Sequence, residues 1–411
     1  MTDFPLFTAL RSGHPFRSTV DRFAAHLAAR ADCRDLVTSP VAGKYAIHAE
    51  IKAVPTEDGF RLDRFYWSGQ RWDSNLATGF RAITLEYAAK TGETSWLEFP
   101  RDSYLPTLAE YFAQPPDRSL ATVLRYVPLR RFTLREDATG GQSRITKFKR
   151  RSRFRQAYQL LDIVSRAIIH QAPGFSVAAP LGIDDARGVY FQQCLAGDDL
   201  AELINDDNAD TLLHHTGMLH AKLHGLDVAG VPSWDSGAFM TGVRHDLRWI
   251  AFILDDLSDT LQCIARRLLD NPPEQPRDAF CHGDFVCSQI LVDAQRWAIT
   301  DFDLCCHGDS RRDIAMFLAS LTYDVPYFAR MQRQTPALAP RRLQQAREAY
   351  LAGYAAATQT ADPRHDARRL AWHTACAEIY YLALMLKKDR FHPAAFDGGL
   401  QRLHQALEQL D

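Results

Sequence analysis

The chain has 411 residues, of which 46% are hydrophobic and 24% are charged, as expected of a folded protein with two or three domains. Its formal net charge of −2 gives no bulk attraction to nucleic acid or to an acidic membrane surface. No run of 18 apolar residues predicts a membrane-spanning helix. The start, Met-Thr-Asp-Phe-Pro, does not resemble a signal peptide, and scattered cysteines without a Cys-x-x-Cys motif suit a reducing compartment. We therefore expect a cytoplasmic protein without nucleic-acid or membrane partners.

The first part of the chain, residues 1–119, is predicted to be an accessory α+β domain. A helix over Val20–Cys33 precedes four strand-like segments, namely Tyr45–Val54, Phe60–Trp67, Ile83–Lys90 and Thr94–Phe99. Thr91-Gly92-Glu93 is typical of a hairpin turn between the last two. This part contains no catalytic motif, and we expect the next domain to begin near Asp117.

Residues 120–196 predict a small antiparallel sheet. Ala121–Arg135 is rich in β-branched and aromatic residues, Thr139–Gln142 is a turn signal, and Ser143–Lys149 alternates polar and apolar side chains. A helix over Arg153–His170 and a strand beginning at Val189 follow. The basic run from Lys147 to Arg155 is interpreted either as a solvated face or as a surface that meets phosphate or another anion.

Residues 197–411 predict a helical lobe. Asp198 is the predicted N-cap of a helix that ends at Ile204, and the further predicted helices are Thr211–His224, Asp246–Asp270, Arg341–Ala357 and Leu370–Lys388. His220 and His224 stand four residues apart, as metal ligands on a helix do. They lack the glutamate of a His-Glu-x-x-His motif, which favours a structural role.

The chemistry is concentrated in the segment from Cys281 to Ala315. His282-Gly283-Asp284 opens a loop, Gln289 follows five residues after Asp284, and Asp301 comes after two apolar segments that predict a hairpin. Such a hairpin brings Asp284, Gln289 and Asp301 to one end of a strand pair. Phosphoryl transfer needs a carboxylate near the attacking hydroxyl and oxygen ligands for Mg²⁺. The segment therefore predicts a magnesium-dependent phosphotransferase with Asp284 as base and with Gln289 and Asp301 as metal ligands.

Cysteines flank this segment, and a zinc site is the alternative that they raise. Cys281, Cys287, Cys305 and Cys306 could bind zinc together with His282 and His307, but their spacings do not match the paired ligands of structural zinc sites. Buried cysteines acting as small apolar residues are the preferred interpretation.

The ordered motifs resemble those of the aminoglycoside-phosphotransferase-like kinases, a small-molecule branch of the protein-kinase-like fold. The family pattern H-G-D-x-x-x-x-N, I-D, G-D-x-x-x-D-[LI]-A is matched by His282–Gln289, Thr300-Asp301 and Gly308–Ala315. The resemblance implies that Asp284 is the catalytic aspartate and Asp301 the Mg²⁺ ligand, while Asp309 and Asp313 brace the loop and cap the next helix. Gln289 departs from the usual asparagine, as in the maltokinase-like subgroup, which favours a sugar acceptor.

The resemblance also implies a bilobal α+β fold, with a small antiparallel β lobe (120–196), a large helical lobe (197–411) and the N-terminal α+β cap. ATP would be held by Lys147, with Lys149 on the same strand face as the alternative. Asp162, the acid of the following helix, would pair with that lysine. The backbone near Gln193, Cys194 and Leu195 would meet the adenine edge.

The sequence thus predicts an ATP- and Mg²⁺-dependent kinase that phosphorylates a hydroxyl of a small, sugar-like molecule. Two alternatives stay open. A nucleotide-binding pseudokinase is suggested by Gln289, by Asp162 in place of a glutamate, and by the lack of a glycine-rich loop near Val127–Phe132. An aminoglycoside kinase would keep the chemistry, although the last third of the chain has no acidic cluster for a cationic acceptor.

Overall fold

The computed structural model describes residues 10, 13–29, 47–71, 80–113, 121–137, 142–270, 272–274, 279–294, 296–331, 340–358, 367–388 and 391–410. None of the helices in these ranges combines the length and apolar character that crossing a bilayer requires.

The N-terminal part forms a four-stranded antiparallel sheet in the order β1-β2-β3-β4. Its elements are α1 (Arg17–Ala29), β1 (Ile47–Thr56), β2 (Gly59–Arg71), β3 (Arg81–Ala88), β4 (Glu93–Glu98) and α2 (Thr107–Ala113). The hairpin turn between β3 and β4 lies slightly earlier than predicted, because the Gly92 N–H closes it on the Ala88 carbonyl at 2.9 Å and Glu93 already belongs to β4. Cys33 and Tyr45, predicted as element ends, lie outside the described residues.

The small lobe is a five-stranded antiparallel sheet in the order β5-β6-β7-β9-β8. Its elements are β5 (Ala121–Val127), β6 (Arg131–Glu136), β7 (Arg144–Lys149), α3 (Phe154–Gln171), β8 (Pro180–Asp184) and β9 (Val189–Gln193). Helix α3 buries Leu160, Val164 and Ile168, which recur at helical spacing. The predicted sheet and helix are confirmed, whereas most of the predicted turn at 139–142 lies outside the described residues.

The large lobe is mainly helical. Its helices are α4 (Leu200–Leu203), α5 (Ala209–His224), α6 (Ser236–Ile253), α7 (Ser258–Leu269), α8 (Ser310–Met331), α9 (Pro340–Ala357), α10 (Ala367–Lys387) and α11 (Pro393–Glu408). The predicted continuous helix over Asp246–Asp270 is wrong, because α6 ends at Ile253 and α7 starts after a short 3₁₀ turn. The Asp255 carboxylate accepts from the Asp256 N–H at 3.0 Å, a local bond that competes with helix propagation.

Short strands carry the segment that holds the predicted site. They are β10 (Asp198–Asp199), β11 (Ala279–Cys281), β12 (Ile290–Asp293), β13 (Arg296–Ile299) and β14 (Cys306–Gly308). The predicted hairpin is β12–β13, and β11 pairs with β14 on either side of it in the chain. Asp198 is not the predicted N-cap, since it lies in β10 opposite Val292. Gly197 permits this pairing, because a Cβ there would lie 2.9 Å from the Val292 carbonyl.

The N-terminal part packs against both lobes. Phe60 of β2 meets Trp249 of α6 edge-on, with ring centroids 5.3 Å apart, in one apolar core with the helical lobe. On the other side, Leu108 and Phe112 of α2 share a core with Phe132 of β6. This part therefore connects the two lobes rather than extending one of them.

Candidate active site

The loop that begins at β11 is held by buried hydrogen bonds. Asp313, at the start of α8, accepts from the N–H groups of His282 at 2.6 Å and Gly283 at 3.1 Å. The Asp284 N–H donates to Nδ1 of His282, so Nε2 carries the ring proton and donates to the Thr300 carbonyl at 2.9 Å. The loop is therefore fixed to both α8 and the end of the β12–β13 hairpin.

Gly283 is required by space as well as by conformation. Its φ is 83°, in the left-handed region, and a Cβ would lie 2.1 Å from the Leu304 carbonyl oxygen. The loop and the segment after Asp301 therefore touch through their backbones. Asp284, the next residue of the loop, lies close enough to Asp301 for the two charges to interact.

Asp284 is a carboxyl group with unusual proton affinity. Burial raises its pKa to about 7, and the charge of Asp301 adds to the effect while Arg131 opposes it. A carboxylate that titrates near neutral pH suits a general base, because it is both available as the anion and able to take a proton.

Asp301 is the point where cations converge. Its carboxylate lies 2.9 Å from Nη1 of Arg131, 3.4 Å from Nζ of Lys147 and 3.6 Å from Nζ of Lys149. Burial alone would raise its pKa, but these charges outweigh burial and hold the pKa well below the usual range. Asp301 is therefore ionised at physiological pH, and it sits in the left-handed conformation with φ 68°.

The two lysines of β7 differ in their environments. Burial opposes the charge of both. Tyr190 and Asp301 compensate at Lys147, so that its pKa is raised, whereas burial lowers the pKa of Lys149 to about 7. Lys149 also forms an ion pair with Asp303. The basic run from Lys147 to Arg155 is therefore split, because its two lysines lie in β7 and face the site, while Arg151 and Arg153 are exposed.

The predicted pairing of Asp162 with Lys147 is wrong. Asp162 forms an ion pair with Arg166 one turn along α3, where the Asp162 side chain is 29% exposed. Lys147 instead reaches Asp301. The interval between Lys147 and Asp162 in the sequence matches the one that the family resemblance implies. On the helix, however, Asp162 lies on the same face as Arg166 and pairs with that residue.

Gln289 lies beside Asp301 at the end of the hairpin. Its side-chain oxygen accepts from the Thr300 hydroxyl at 3.1 Å, and its backbone carbonyl accepts from the Thr300 N–H at 2.9 Å. Gln289 is buried. Asp301 and Gln289 therefore present one charged and one neutral oxygen atom, both suited to bind a metal ion, at the same end of the hairpin, as its spacing in the sequence predicted.

A cavity of about 360 Å³ opens between the lobes at these residues. Lys147, Lys149, Arg131, Gln289 and Asp301 line it, as do Arg125 and Arg135. Gln193, Cys194 and Leu195 line it together with apolar side chains, which are Leu124, Ile145 and Leu291. Arg135 lies opposite Ile145 on the neighbouring strand, so the cations are not confined to one end. A lining that combines cations with apolar side chains suits a phosphorylated ligand with a planar apolar group.

Arg131 is a site residue that sequence reasoning missed, and Arg125, which acts on the charge of Asp301, is another. Arg131 starts β6 directly opposite Lys149, and Thr133 lies opposite Lys147. Side chains on directly opposed strand positions share a face, so the β6–β7 register places Arg131 beside the lysines. The signal was an arginine at the start of a strand, but it becomes informative only once the register is known.

Within the described ranges, the cysteines that flank the segment do not gather into a zinc site with His282 and His307. Cys281, Cys287, Cys305 and Cys306 are buried thiols, whose pKa values burial raises. Among the described residues, the histidine, cysteine and acidic groups close enough to share an ion are His220, His224 and Asp313.

These two histidines are core residues. His220 bonds through Nδ1 to the Tyr350 hydroxyl at 2.5 Å, and His224 bonds to Tyr354 at 2.7 Å. Burial lowers the pKa of His220 to about 3, and its ring stacks on Phe285 at 3.7 Å. The predicted structural role therefore fits their surroundings.

Comparison with known proteins identifies the family. The sequence model of the phosphotransferase enzyme family matches residues 130–366, which is more than half of the chain. The chain belongs to this family, and the predictions of a small-molecule kinase and of a bilobal α+β fold are confirmed. No curated protein matches the chain in sequence.

Solved structures show similarity at low identity. A macrolide 2′-phosphotransferase from Brachybacterium faecium is 15% identical over 72% of this chain and 93% of its own, with a TM-score of 0.44. A choline/ethanolamine kinase family protein from Mesorhizobium loti is 15% identical over 74% and 95%, with a TM-score of 0.43. An aminoglycoside phosphotransferase solved with GDP and kanamycin is 16% identical over 73% and 96%, with a TM-score of 0.46.

Proposed function

We propose that the protein is an ATP- and Mg²⁺-dependent kinase that transfers the γ-phosphoryl group to a hydroxyl of a sugar or a sugar-containing metabolite. The observation that carries the proposal is the pairing of two unlike carboxyl groups. Asp284 has a pKa near 7, and Asp301 is fully ionised among three cations. One carboxyl can therefore exchange a proton while the other stays a permanent anion.

Asp284 is assigned as the catalytic base. Its carboxylate takes the proton of the acceptor hydroxyl as that oxygen bonds to the γ-phosphorus and the bond to the β-phosphate oxygen breaks. The products are the phosphorylated acceptor and ADP. The hydrogen bonds of Asp313 to the loop backbone keep the carboxylate in place without contacting the reacting atoms.

The turn between β5 and β6 is not equipped to bind phosphate through its backbone. Pro128 has no N–H, the Leu129 N–H donates to the Asp102 carboxylate at 2.8 Å, and the Arg130 N–H donates to the Val127 carbonyl at 3.1 Å. A glycine-rich loop would instead offer free N–H groups to the nucleotide at this place.

Side chains must therefore supply the contacts to the phosphates. We assign this role to Arg131, Lys147 and Lys149, which surround Asp301. An arginine fork matches phosphate oxygens bidentately, and lysine supplies a point charge. The lack of a glycine-rich loop thus does not argue against catalysis.

Asp301 and Gln289 fit Mg²⁺, because both offer oxygen atoms and Asp301 is ionised. When bound, the metal ion would neutralise charge on the transferring phosphoryl group. Gln289 is kept in place by Thr300, so its longer side chain is not loose at this position.

The adenine would bind against the apolar side chains of the cavity, near Gln193 to Leu195. The Gln193 N–H donates to the Ala179 carbonyl at 2.8 Å, and the Cys194 N–H donates to the Ser143 carbonyl at 3.2 Å. Of the three predicted contacts, the Leu195 N–H is the one that no described acceptor takes. We therefore assign the hydrogen bond to the adenine edge to Leu195.

The sugar acceptor and the maltokinase-like subgroup rest on Gln289, which replaces the usual asparagine of the family. We also propose three domains, with boundaries at 1–119, 120–196 and 197–411. The contacts of the first with both others support a cap that holds the lobes at a fixed separation.

The test is a coupled ADP-release assay with Mg²⁺-ATP and a panel of neutral sugars, amino sugars, choline and kanamycin. We expect turnover with at least one sugar and loss of turnover in Asp284→Asn. If kanamycin were the only acceptor in the panel to be phosphorylated, the acceptor would be assigned as an aminoglycoside instead of a sugar. Thermal stabilisation by Mg²⁺-ATP without turnover on any acceptor would support a nucleotide-binding regulatory module instead.

A further inference from the structure

A second cavity lies in the helical lobe, between α9, α10 and α11. Its volume is about 460 Å³, and it shares no lining residue with the cavity that holds Lys147 and Asp301. Each helix contributes one face, since the lining positions recur every three or four residues. A concave site of this size is large enough for a small organic ligand.

One part of this cleft is apolar. Leu318 of α8, Leu343 and Leu351 of α9 and Leu370 of α10 line it. Such a wall favours a ligand with a hydrocarbon or aromatic body, because burying that body removes apolar surface from water.

The other part is cationic. Glu378 is fully buried and has both carboxylate oxygens occupied, one by Nε of Arg402 at 3.0 Å and the other by the Tyr323 hydroxyl at 2.5 Å. Nη2 of Arg402 is buried and has no hydrogen-bond partner among the described residues. The nearby carboxylate therefore satisfies only one side of the Arg402 guanidinium.

Arg347 adds a second guanidinium to the same cleft. It forms no ion pair within the described part of the chain, and burial lowers its pKa, with Glu378 opposing and Arg402 adding to the effect. Glu348 does not compensate, since it is exposed at the rim and accepts from Gln344 at 2.8 Å. A partly buried guanidinium group without an acceptor, as at Arg347, and an unpaired buried Nη2, as at Arg402, are unfavourable, which calls for an anion.

We infer that this cleft binds an organic anion, a carboxylate on an apolar body, with Arg347 and Arg402 as its charged partners. Arg402 would donate from Nη2 while Nε stays on Glu378. The leucine wall would cover the body of the ligand. This site is separate from the proposed nucleotide and acceptor site and does not depend on the kinase assignment.

Helix α10 connects the cleft to the start of α8, the helix whose Asp313 holds the loop of His282 to Asp284. Helix α10, which forms one wall, also carries Arg369 and His373, whose side chains reach the Asp309 carboxylate at 2.6 and 3.3 Å. On another face of α10, the Tyr381 hydroxyl donates to Asp324 at 2.7 Å. A ligand in the cleft would thus contact the same helix whose Arg369 and His373 bind the Asp309 carboxylate.

The test uses fluorine NMR on the full chain with 4-(trifluoromethyl)benzoate as probe. 4-(Trifluoromethyl)benzylamine and 4-(trifluoromethyl)benzyl alcohol have the same apolar body with a positive or neutral group. Comparison of their binding with that of the benzoate shows whether the site requires a negative charge. Arg347→Gln removes the cation, Arg347→Lys keeps it, and Arg341→Gln is the control, because Arg341 is exposed on the same helix. Circular dichroism and the midpoint of thermal unfolding establish that each variant is folded.

We expect line broadening of the benzoate with wild type and Arg341→Gln, and affinity about tenfold or more weaker in Arg347→Gln, as for loss of a charge-assisted hydrogen bond. Arg347→Lys should recover part of the lost affinity. The amine and the alcohol should bind wild type no more tightly than the benzoate binds Arg347→Gln. Excess non-hydrolysable ATP analogue with Mg²⁺ should not displace the probe. The inference would be overturned if the benzoate bound wild type and folded Arg347→Gln equally, or if the amine bound as tightly as the benzoate. It would also be overturned if the nucleotide displaced the probe, or if wild type bound no probe at millimolar concentration.

Discussion

Arg131 donates from Nη1 to Oδ2 of Asp301 across 2.9 Å, although 170 residues separate them in the chain. The bond joins the first residue of β6 to the end of the β12–β13 hairpin, and so links the small lobe to the catalytic segment. With Lys147 and Lys149, Arg131 surrounds the Asp301 carboxylate with three cations. If these cations contact the phosphates as proposed, they are already gathered at the site by Asp301.

Arg131→Gln is expected to raise KM for ATP. Loss of a charge-assisted contact corresponds to about 1.5–3 kcal/mol, or roughly ten- to a hundredfold. Arg130→Gln is the matched control, because Arg130 points to Glu50 at 3.6 Å and is half exposed. Steady-state kinetics with varied ATP and a saturating acceptor measure both. Equal KM values for the two variants would remove Arg131 from the phosphate site.

Activity should rise with pH through the titration of Asp284. The pKa near 7 means that the base is protonated in acid and available above neutrality. We expect log(kcat/KM) to increase with unit slope below about pH 7 and then to level off. Asp284→Asn should lower kcat by about 10²–10⁴-fold and abolish this limb. A flat profile from pH 5.5 to 8.5 in wild type would contradict the assignment.

The same carboxyl should reduce stability at high pH. Between the usual pKa of 3.8 and the folded value of about 7, the folded state binds more protons than the unfolded chain, so the free energy of unfolding falls as pH rises. Asp284→Asn should therefore be more stable than wild type at pH 8, by about 1–3 kcal/mol, and not at pH 4. Urea denaturation at the two pH values measures the difference. A gain of equal size at both would show that the substitution acts through packing instead.

Lys147 and Asp162 should behave differently when substituted. Lys147→Met removes a buried cation of the site, and we expect weaker nucleotide binding by about tenfold or more. Asp162→Asn breaks only an exposed pair with Arg166, which contributes at most about 0.5 kcal/mol. Isothermal titration with ADP and Mg²⁺ distinguishes them. An equal loss of affinity in both variants would restore the pairing of Asp162 with the lysine.

Gly283→Ala should unfold the catalytic loop or the whole lobe. The left-handed φ of 83° costs about 1–2 kcal/mol for alanine, and the new Cβ also meets the Leu304 carbonyl. Gly242→Ala in α6 is the control, since nothing lies within 4 Å of its Cβ position, and alanine there should be neutral or stabilising by up to about 1 kcal/mol. Chemical denaturation of both variants gives the comparison. Gly283→Ala with wild-type stability and activity would contradict the tight backbone contact.

The local sequence determined the elements that depend on short-range chemistry. The spacing from Gln289 to Asp301 is sufficient to specify a hairpin with both residues at one end, because the pairing of two antiparallel strands that are close in the chain fixes which residues oppose each other. The alternation before Lys149 similarly specified β7. The roles of Asp284, Asp301 and Gln289 remain predictions that the experiments above decide.

Only the tertiary structure decided which side chains meet across long separations. Asp162 lies at the expected distance in sequence from Lys147, yet its position on the helix surface places it beside Arg166, with which it forms an ion pair. Arg131 carries no motif, yet the register of β6 on β7 places it on Asp301. Arg347 and Arg402 come from separate helices and line one cleft only because α9 packs on α5 and α11 packs on α10. Periodicity identifies the face of an element, whereas the partner of that face depends on the whole chain.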